Sequence, residues 1–409
     1  MDPQEKLPDF LMTSEPGSFA QKTILYRKPR IIEGVINDND YPLLIVKRLI
    51  RFKEEILSGA IQPLTEDAPD VEEWNNVWLK FKGRTWLELP WYFAEAYFYR
   101  RLLEAVEYFQ PGPLKNHDPF QKLKRKQLKE SLPILDLAIK VLNNIRDLKL
   151  CFENLLHASL WGNRVDLSNL TVTDDVRRRQ AMIERENLLI NDFPKILRAF
   201  EEEPLSQIAF VNDNVGVELG FDLLLADFLL RNNLADKITF YLKPYPFFVS
   251  DAMPKDLQET IKAFIKTSNP NLSDLGKRIE KALAKGIMST SADWFWASPY
   301  HFCEMPSSLY TELSRFDLVI LKGDVNYRRL LSDRHWPYTT PIRKIVHYFP
   351  TSILILRTLK GEIIVDLKEG EAEKLEAEDP DWLINGKRGI IQFIKHSELL
   401  KERMLQKSL

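Results

Sequence analysis

The chain has 409 residues, 44% of them hydrophobic and 28% charged. That composition excludes a disordered polymer and suits two or three globular units of ordinary size. The 57 Lys and Arg nearly balance the 59 Asp and Glu, for a formal charge of −2, so no basic excess marks a dedicated nucleic-acid binder.

Up to about residue 200 the apolar spacing is helical. Ile45, Leu49, Phe52 and Ile56 share one face of a helix over 41–58, with Pro42 near its start and Gly59 beyond its end. Pro90 opens a second, aromatic-rich helix over 91–109. Ser131 caps a third, with Pro133 in its first turn, running toward residue 160. A fourth, over 174–200, contains Arg177, Arg178 and Arg179 and reads as a solvated helix face.

After residue 204 short apolar runs alternate with helical segments. Strands are expected over 207–211, 238–242, 247–250, 317–321 and 352–356, with further apolar runs over 363–367 and 389–394. Helices are expected over 216–231, 256–266 and 274–285. Such alternation predicts an α/β fold of parallel strands with helical crossovers. The chain therefore divides into a helical domain over 1–200 and an α/β domain over 201–409. Trp294-Phe295-Trp296 sits in a stretch of weak periodicity, read as a packed loop.

Polar residues follow the apolar runs. Asn212-Asp213-Asn214 follows one, Ser250-Asp251 another, Lys322-Gly323-Asp324-Val325-Asn326-Tyr327-Arg328 a third, and Arg357-Thr358-Leu359-Lys360 a fourth. Ligands of open α/β sheets bind outside the carboxyl ends of the strands, so these clusters can line one crevice. Asp213, Asn214 and Asp251 are oxygen donors suited to a divalent cation such as Mg²⁺ or Mn²⁺. No Cys/His cluster has zinc-site spacing. Lys322, Arg328, Arg357 and Lys360 are cations of the kind a phosphate needs, and a helix starting at Gly216 adds its positive end. Taken singly, each cluster has an ordinary structural reading as a turn, a cap or surface charge; the combination points to a phosphate site.

Cys151 and Cys303 lie far apart and suit a reducing compartment. The polar start, Met1 to Lys6, lacks the order of a signal peptide. No run approaches the about 18 uncharged apolar residues of a membrane span. A soluble protein of the cytosol or nucleus, without membrane or nucleic-acid partners, is expected.

Several of these segments resemble one family. Asp213-Asn214-Val215-Gly216-Val217-Glu218 resembles the Asp-Asn-x-Gly-x-Glu signature of the damage-control phosphatases. Phe248-Val249-Ser250-Asp251 and Lys322 to Arg328 resemble that family's second and third motifs. Arg357-Thr358-Leu359-Lys360 matches the Arg-Thr-x-Lys signature of the subfamily acting on sugar phosphates, which includes proteins also described as protein-glutamate O-methyltransferases. Leu89 to Glu95, Asp118-Pro119-Phe120 and Leu160 to Ser168 extend the likeness into the helical half, so that it spans about residues 20–400.

The resemblance implies a Rossmann-like three-layer α/β/α domain beside an N-terminal all-helical one, with the active site between them. It implies one divalent ion (Mn²⁺, Co²⁺, Ni²⁺ or Mg²⁺) held by Asp213, Asn214 and Asp251, with Glu218 supporting them from behind. Substrate contacts would come from Glu95, Asn163, Asp324, Asn326, Arg328 and Lys360. The catalytic residues would be Asp213, Asp251 and Lys360, acting on a small phosphorylated metabolite such as a fructose or ribose phosphate. Whether Asp213 or Asp251 accepts the proton of the attacking group, or either attacks directly, stays open. The rival reading, methyl transfer from S-adenosylmethionine to protein glutamates, lacks a Gly-rich strand-to-helix loop with an acidic ribose partner. A second rival, a non-catalytic binding module, has no use for Asp213, Asn214 and Asp251.

Overall fold

The computed structural model describes residues 7–162, 187–202 and 205–407. Helices come first: α1 (Phe19–Lys22), a π-helical turn (Thr23–Arg27), α2 (Lys28–Asp38), α3 (Leu43–Ser58), α4 (Val71–Trp78) and α5 (Trp91–Ala105). Then follow α6 (Gln121–Leu142), α7 (Leu148–Trp161), β1 (Leu188–Asn191), α8 (Phe193–Glu202), β2 (Leu205–Val211), α9 (Val217–Arg231) and β3 (Ala235–Tyr241). Next are α10 (Pro254–Lys266), α11 (Pro270–Ala284), β4 (Met288–Ser291), α12 (Ser307–Leu313), β5 (Leu318–Lys322) and α13 (Gly323–Leu330). Last come α14 (Ile342–Val346), β6 (Ser352–Thr358), α15 (Glu371–Glu378), β7 (Gly389–Ile394) and α16 (His396–Lys407).

The strands form one seven-stranded sheet in the order β1-β7-β6-β5-β2-β3-β4. From β6 to β4 all neighbours are parallel, with Ile208 opposite Leu318 and Val211 opposite Leu321 at the centre. β7 departs from the expected parallel pattern: it is antiparallel to β6 and parallel to β1. The cause is local, because Leu359 N donates to Arg388 O (2.9 Å), so β7 starts where β6 stops.

Helices cover both faces, as continuous apolar runs such as Leu318-Val319-Ile320-Leu321 require. Ile208, Phe210, Ile320 and Leu354 pack with α6, α7, α9, α10 and α11. Ala209, Val211, Val319 and Ile353 pack with α12, α13 and the aromatic helices of the first hundred residues. The molecule is thus an α/β protein of the Rossmann-like three-layer kind. Residues 91–100 of α5 are all buried, and the charges among them, Glu95 and Arg100, are paired, with Lys28 (2.5 Å) and with Asp70 (2.8 Å).

Several local expectations change. The third helix is two: α6 starts ten residues before Ser131, and Asp147 caps α7 by accepting from Lys149 N (2.8 Å). Ser131 lies inside α6, its hydroxyl donating to Leu128 O (2.7 Å), and Pro133 is likewise internal. Of the fourth expected helix, residues 174–186 lie outside the described residues, and the rest is β1 and α8. Since β1 joins the sheet and α6 and α7 pack on it, the packing does not divide at residue 200. The runs over 247–250 and 363–367 are not strands, while 294–297 is a short 3₁₀ helix.

Winding from β2 proceeds outward to β3 and β4, then resumes on its other side with β5 and β6. The winding reverses between β2 and β5, where the carboxyl ends leave a crevice.

Candidate active site

Past the end of β2, Asn212 turns the chain while staying tied to the sheet. Its amide donates to Tyr241 O (3.1 Å) and its side chain to Asp222 on α9 (3.0 Å). Asp213 and Asn214 follow at the sheet's edge. The loop after β3 returns to meet them through an isolated antiparallel bridge between Asn214 and Asp251. Val215 N donates to Ser250 O and Ala252 N to Asp213 O, both at 2.8 Å. This backbone clasp, and not the expected strand over 247–250, delivers Asp251. Phe248 turns the loop with a left-handed φ of 54°, strain of a kind that clusters at functional sites.

β5 arrives beside them, ends at Lys322 and gives way to Gly323, whose φ is 84°. A Cβ there would lie 1.9 Å from Asp213 Oδ2. β6 ends with Thr358 and the exposed Lys360, whose backbone amide donates to Asp324 Oδ1 (3.3 Å). A cavity of about 290 Å³ lies between these ends. Asp213, Asn214, Glu218, Asp251, Asp324 and Lys360 line it from the sheet side, with Arg27, Trp91 and Glu95 opposite.

Negative charge is crowded here. Burial, then Glu218 and Asp251, push the Asp213 carboxyl well above its usual range. Burial raises Asp251 to about 6, against the pull of Lys243. The Lys243 ammonium, itself lowered by burial, stands 3.5 Å from Asp251 Oδ2 and donates to Trp296 O (3.0 Å). Asp251 Oδ2 has no hydrogen-bond partner among the described residues. Asn214 Nδ2 donates to Asp213 Oδ2 (2.8 Å) and Glu218 Oε2 (3.1 Å), while Ser250 Oγ donates to Asn214 Oδ1 (2.5 Å).

The remaining expected residues divide. Glu218 sits behind Asn214, and Glu95 reaches the cavity wall with Lys28 against it. Asn163 lies outside the described residues. Asn326 does not line the cavity: its Nδ2 donates back to Lys322 O (2.9 Å) beneath the strand ends. Two residues along a helix from Asp324, it faces the opposite way. Arg328, four residues from Asp324, shares its face but is buried, pairing with Asp333 (2.5 Å) and lying over the Trp91 ring (3.5 Å).

Nη1 and Nη2 of Arg328 have no hydrogen-bond partner among the described residues, whereas two other expected phosphate cations are spent internally. Lys322 is buried against Asp222 (3.0 Å) and Ser159 Oγ (2.9 Å). Arg357 holds Asp324 (2.7 Å) and donates to Ile363 O (2.5 Å), since strand alternation turns it away from the face that Thr358 presents. Asp324 is lowered even so: burial raises it, but Arg357 and Arg328 outweigh that.

Among the described residues, no group of three or more His, Cys, Asp or Glu side chains has metal-site geometry. The donor set nevertheless fits a hard cation. Asp213 and Asp251 are crowded carboxylates, and Asp251 Oδ2 accepts no hydrogen bond among the described residues. Turning the Asn214 amide over presents a third oxygen, and the Ser250 hydroxyl serves either orientation because it both donates and accepts.

The description "Damage-control phosphatase ARMT1-like domain" belongs to a family model that matches residues 23–375. The chain belongs to this family. Proteins named damage-control phosphatase ARMT1 from Danio rerio and Mus musculus are each 32% identical over 435 residues, covering 94% of this chain and 97% and 98% of their own length. The protein of that name from Homo sapiens is 31% identical, covering 95% and 98%. Among solved structures, a DUF89 family protein from Pyrococcus horikoshii is 16% identical, with a TM-score of 0.49, covering 91% of this chain and 96% of its own.

Two residues at this family member's site escape sequence reasoning: Arg27, which lines the cavity, and Lys243, which stands behind Asp251. Arg27 ends the π-helical turn and faces Glu95 and Asp324, yet stands in no motif. Lys243 reads only as a charge after a strand. A π-turn is the kind of irregularity that marks functional sites, but it shows only in the structure.

The crowding has a thermal signature. Carboxyls raised in the folded state bind protons more tightly than in the unfolded chain, so their contribution is present below the unfolded value of 3.8 and lost as pH rises through about 6. A cation binds their ionised form. The rise in Tm on adding Mn²⁺ to chelated protein is therefore larger at about pH 8 than at about pH 5. Scanning calorimetry at both values checks this, and an equal rise at both contradicts it.

Proposed function

We propose that this chain is a divalent-metal-dependent phosphatase hydrolysing phosphate monoesters of small sugars. Family membership supports the phosphatase role. The observation that carries the finer reading is one cavity that Asp213, Asp251 and the exposed Lys360 line together from the strand ends. Its size, about 290 Å³, sits at the small end of metabolite pockets.

In this reading Asp213, Asn214 and Asp251 would hold the cation, with Glu218 behind them and the Ser250 hydroxyl accepting from the turned Asn214 amide. Such a cation supplies charge neutralisation at the phosphoryl oxygens and an activated water. Lys360, on a flexible stem at the rim, follows the equatorial oxygens as charge spreads over them in the transition state. Asp324, kept ionised by Arg357, accepts hydrogen bonds from sugar hydroxyls. Trp91 offers a flat ring to the sugar's apolar face. Arg27, held near Glu95, adds positive charge at the mouth.

A panel of divalent metals crossed with a panel of phosphate esters tests the reading. Sugar monophosphates should exceed nucleotides and phosphoproteins, and chelation should silence all of them. Activity confined to nucleotides would overturn the substrate class.

Lys360→Ala should lower kcat/KM by about 30- to 1000-fold, the equivalent of about 2–4 kcal/mol of lost transition-state stabilisation. Metal affinity should hold or rise, because a neighbouring positive charge is gone. Lys360→Arg should rescue in part, its planar fork being a poor stand-in for a point charge. Metal titrations alongside kcat/KM on the same variants decide it; an unchanged kcat/KM would make the Arg-Thr-Leu-Lys segment purely structural.

A further inference from the structure

We propose that a second cavity, walled by Tyr92, Phe93, Trp336 and Tyr348, is a binding site for a small planar aromatic anion. The cavity measures about 510 Å³, within the range of small-molecule sites. It shares no lining residue with the active-site cavity, but the two share a wall: Trp91 faces one and Tyr92 the other.

The walls specify a flat apolar body. Their polar atoms are already engaged. Tyr92 OH donates to Ser298 O (2.8 Å), Trp336 Nε1 to Leu331 O (2.7 Å) and Tyr348 OH to Leu330 O (2.7 Å). These bonds pin the rings and leave faces and edges toward the cavity, the surfaces on which another ring packs in offset or edge-on geometry. Nδ1 of His301 is buried without a hydrogen-bond partner among the described residues. The His301 ring lies 5.2 Å from Tyr92 and stacks on Phe10 at 5.9 Å, so it belongs to the same wall.

Charge specifies the ligand's sign. Lys80, Arg334 and Lys344 line the cavity against a single acid, Glu304. Glu304 is itself engaged, accepting from His301 N (2.9 Å). Arg334 is fixed over the Phe10 ring (3.7 Å) and donates to Pro8 O (2.6 Å), which holds a guanidinium at the rim of an aromatic slot. An apolar slot with one fixed guanidinium and two exposed lysines at its rim favours an aromatic carboxylate over a neutral ring or an aliphatic anion.

The site also touches the catalytic side. Asp333, next to Arg334, pairs with Arg328 (2.5 Å) and accepts from Tyr92 N (3.1 Å). Ser332 and Asp333 are consecutive left-handed residues, with φ of 59° and 48°. A ligand seated on Tyr92 and Arg334 therefore bears on the segment that holds Arg328 against Trp91.

The test is a calorimetric titration of the full chain with 2-naphthoate and, separately, with the neutral 2-naphthylmethanol at low salt. One saturable site per chain is expected, with the carboxylate bound about tenfold more tightly than the alcohol. Cys303→Trp fills the cavity from an exposed position, and Arg334→Gln removes the rim charge; each should weaken naphthoate about tenfold or more. Saturating inorganic phosphate should not displace naphthoate, because the two sites share no lining residue. Absence of saturation, equal affinity for acid and alcohol, indifference to both variants, or displacement by phosphate would each overturn the proposal.

Discussion

Replacing Asp251 by alanine should lower phosphate release by on the order of 1000-fold or more, in a protein that still folds. Asp251 is 2% exposed, yet its side chain packs no apolar core. The clasp that fixes its loop is made of backbone bonds, Val215 N to Ser250 O and Ala252 N to Asp213 O. Those bonds survive truncation. Lys243 loses its carboxylate partner but keeps Trp296 O, and burial already favours its neutral form. It can shed a proton instead of remaining an unpaired buried charge. Asp213 is relieved of one neighbouring carboxylate, so its own pKa falls. Circular dichroism and Tm should stay close to wild type while metal affinity collapses. Asp251→Asn should be equally inactive, since it restores the shape without the charge. Wild-type turnover in either variant would remove Asp251 from the chemistry.

Gly323→Ala should be nearly as damaging, though position 323 carries no functional group. Two costs meet there. The φ of 84° is left-handed, at about 1–2 kcal/mol for a residue with a Cβ. The Cβ itself would fall 1.9 Å from Asp213 Oδ2 and 2.4 Å from its Cγ. Asp213 must move, or β5 must draw away from β2. A displacement of about 1 Å costs on the order of 100-fold in rate, and metal affinity should fall with it. Gly83 is the control: its φ is 81°, but a Cβ there meets nothing within 4 Å. Gly83→Ala should lose only the backbone increment of stability and keep full kcat/KM. If both alanine variants lose stability alike and keep full activity, contact between Gly323 and Asp213 is not what holds the site.

Much of the site was readable because of where its residues stand. Asp213, Asn214, Asp324 and Lys360 follow apolar runs that become the central strands, and strand ends at a switch point converge. Asp251 was readable for a partly mistaken reason: the run over 247–250 is a turn through a left-handed Phe248, and a bridge to Asn214 does what a strand end was expected to do. Side-chain direction was less legible. Lys322, Arg328 and Arg357 are cations of the right type in the right segment, but pairing with Asp222, Asp333 and Asp324 takes them out of the cavity. Sequence spacing shows that Asp324 and Arg328 share a helix face; it does not show that Trp91 covers the second. The short strand β4 escaped notice because four residues of mixed polarity, Met288-Ser289-Thr290-Ser291, carry no clear period, and β1 was absorbed into the helix expected over 174–200. Arg27 was invisible because a π-turn has no sequence signature of its own.

The central claim is that Asp213 and Asp251 together hold a divalent cation without which phosphate is not released. The most direct measurement takes chelated, dialysed protein, confirms by elemental analysis that it is metal-free, and follows both Mn²⁺ binding by calorimetry and phosphate release from a sugar monophosphate. One site should bind in the wild type and none in Asp213→Asn with Asp251→Asn. Turnover should be absent before Mn²⁺ is added and should rise in proportion to site occupancy. Full turnover by the verified metal-free protein, or Mn²⁺ binding undiminished in the double variant, would contradict the account.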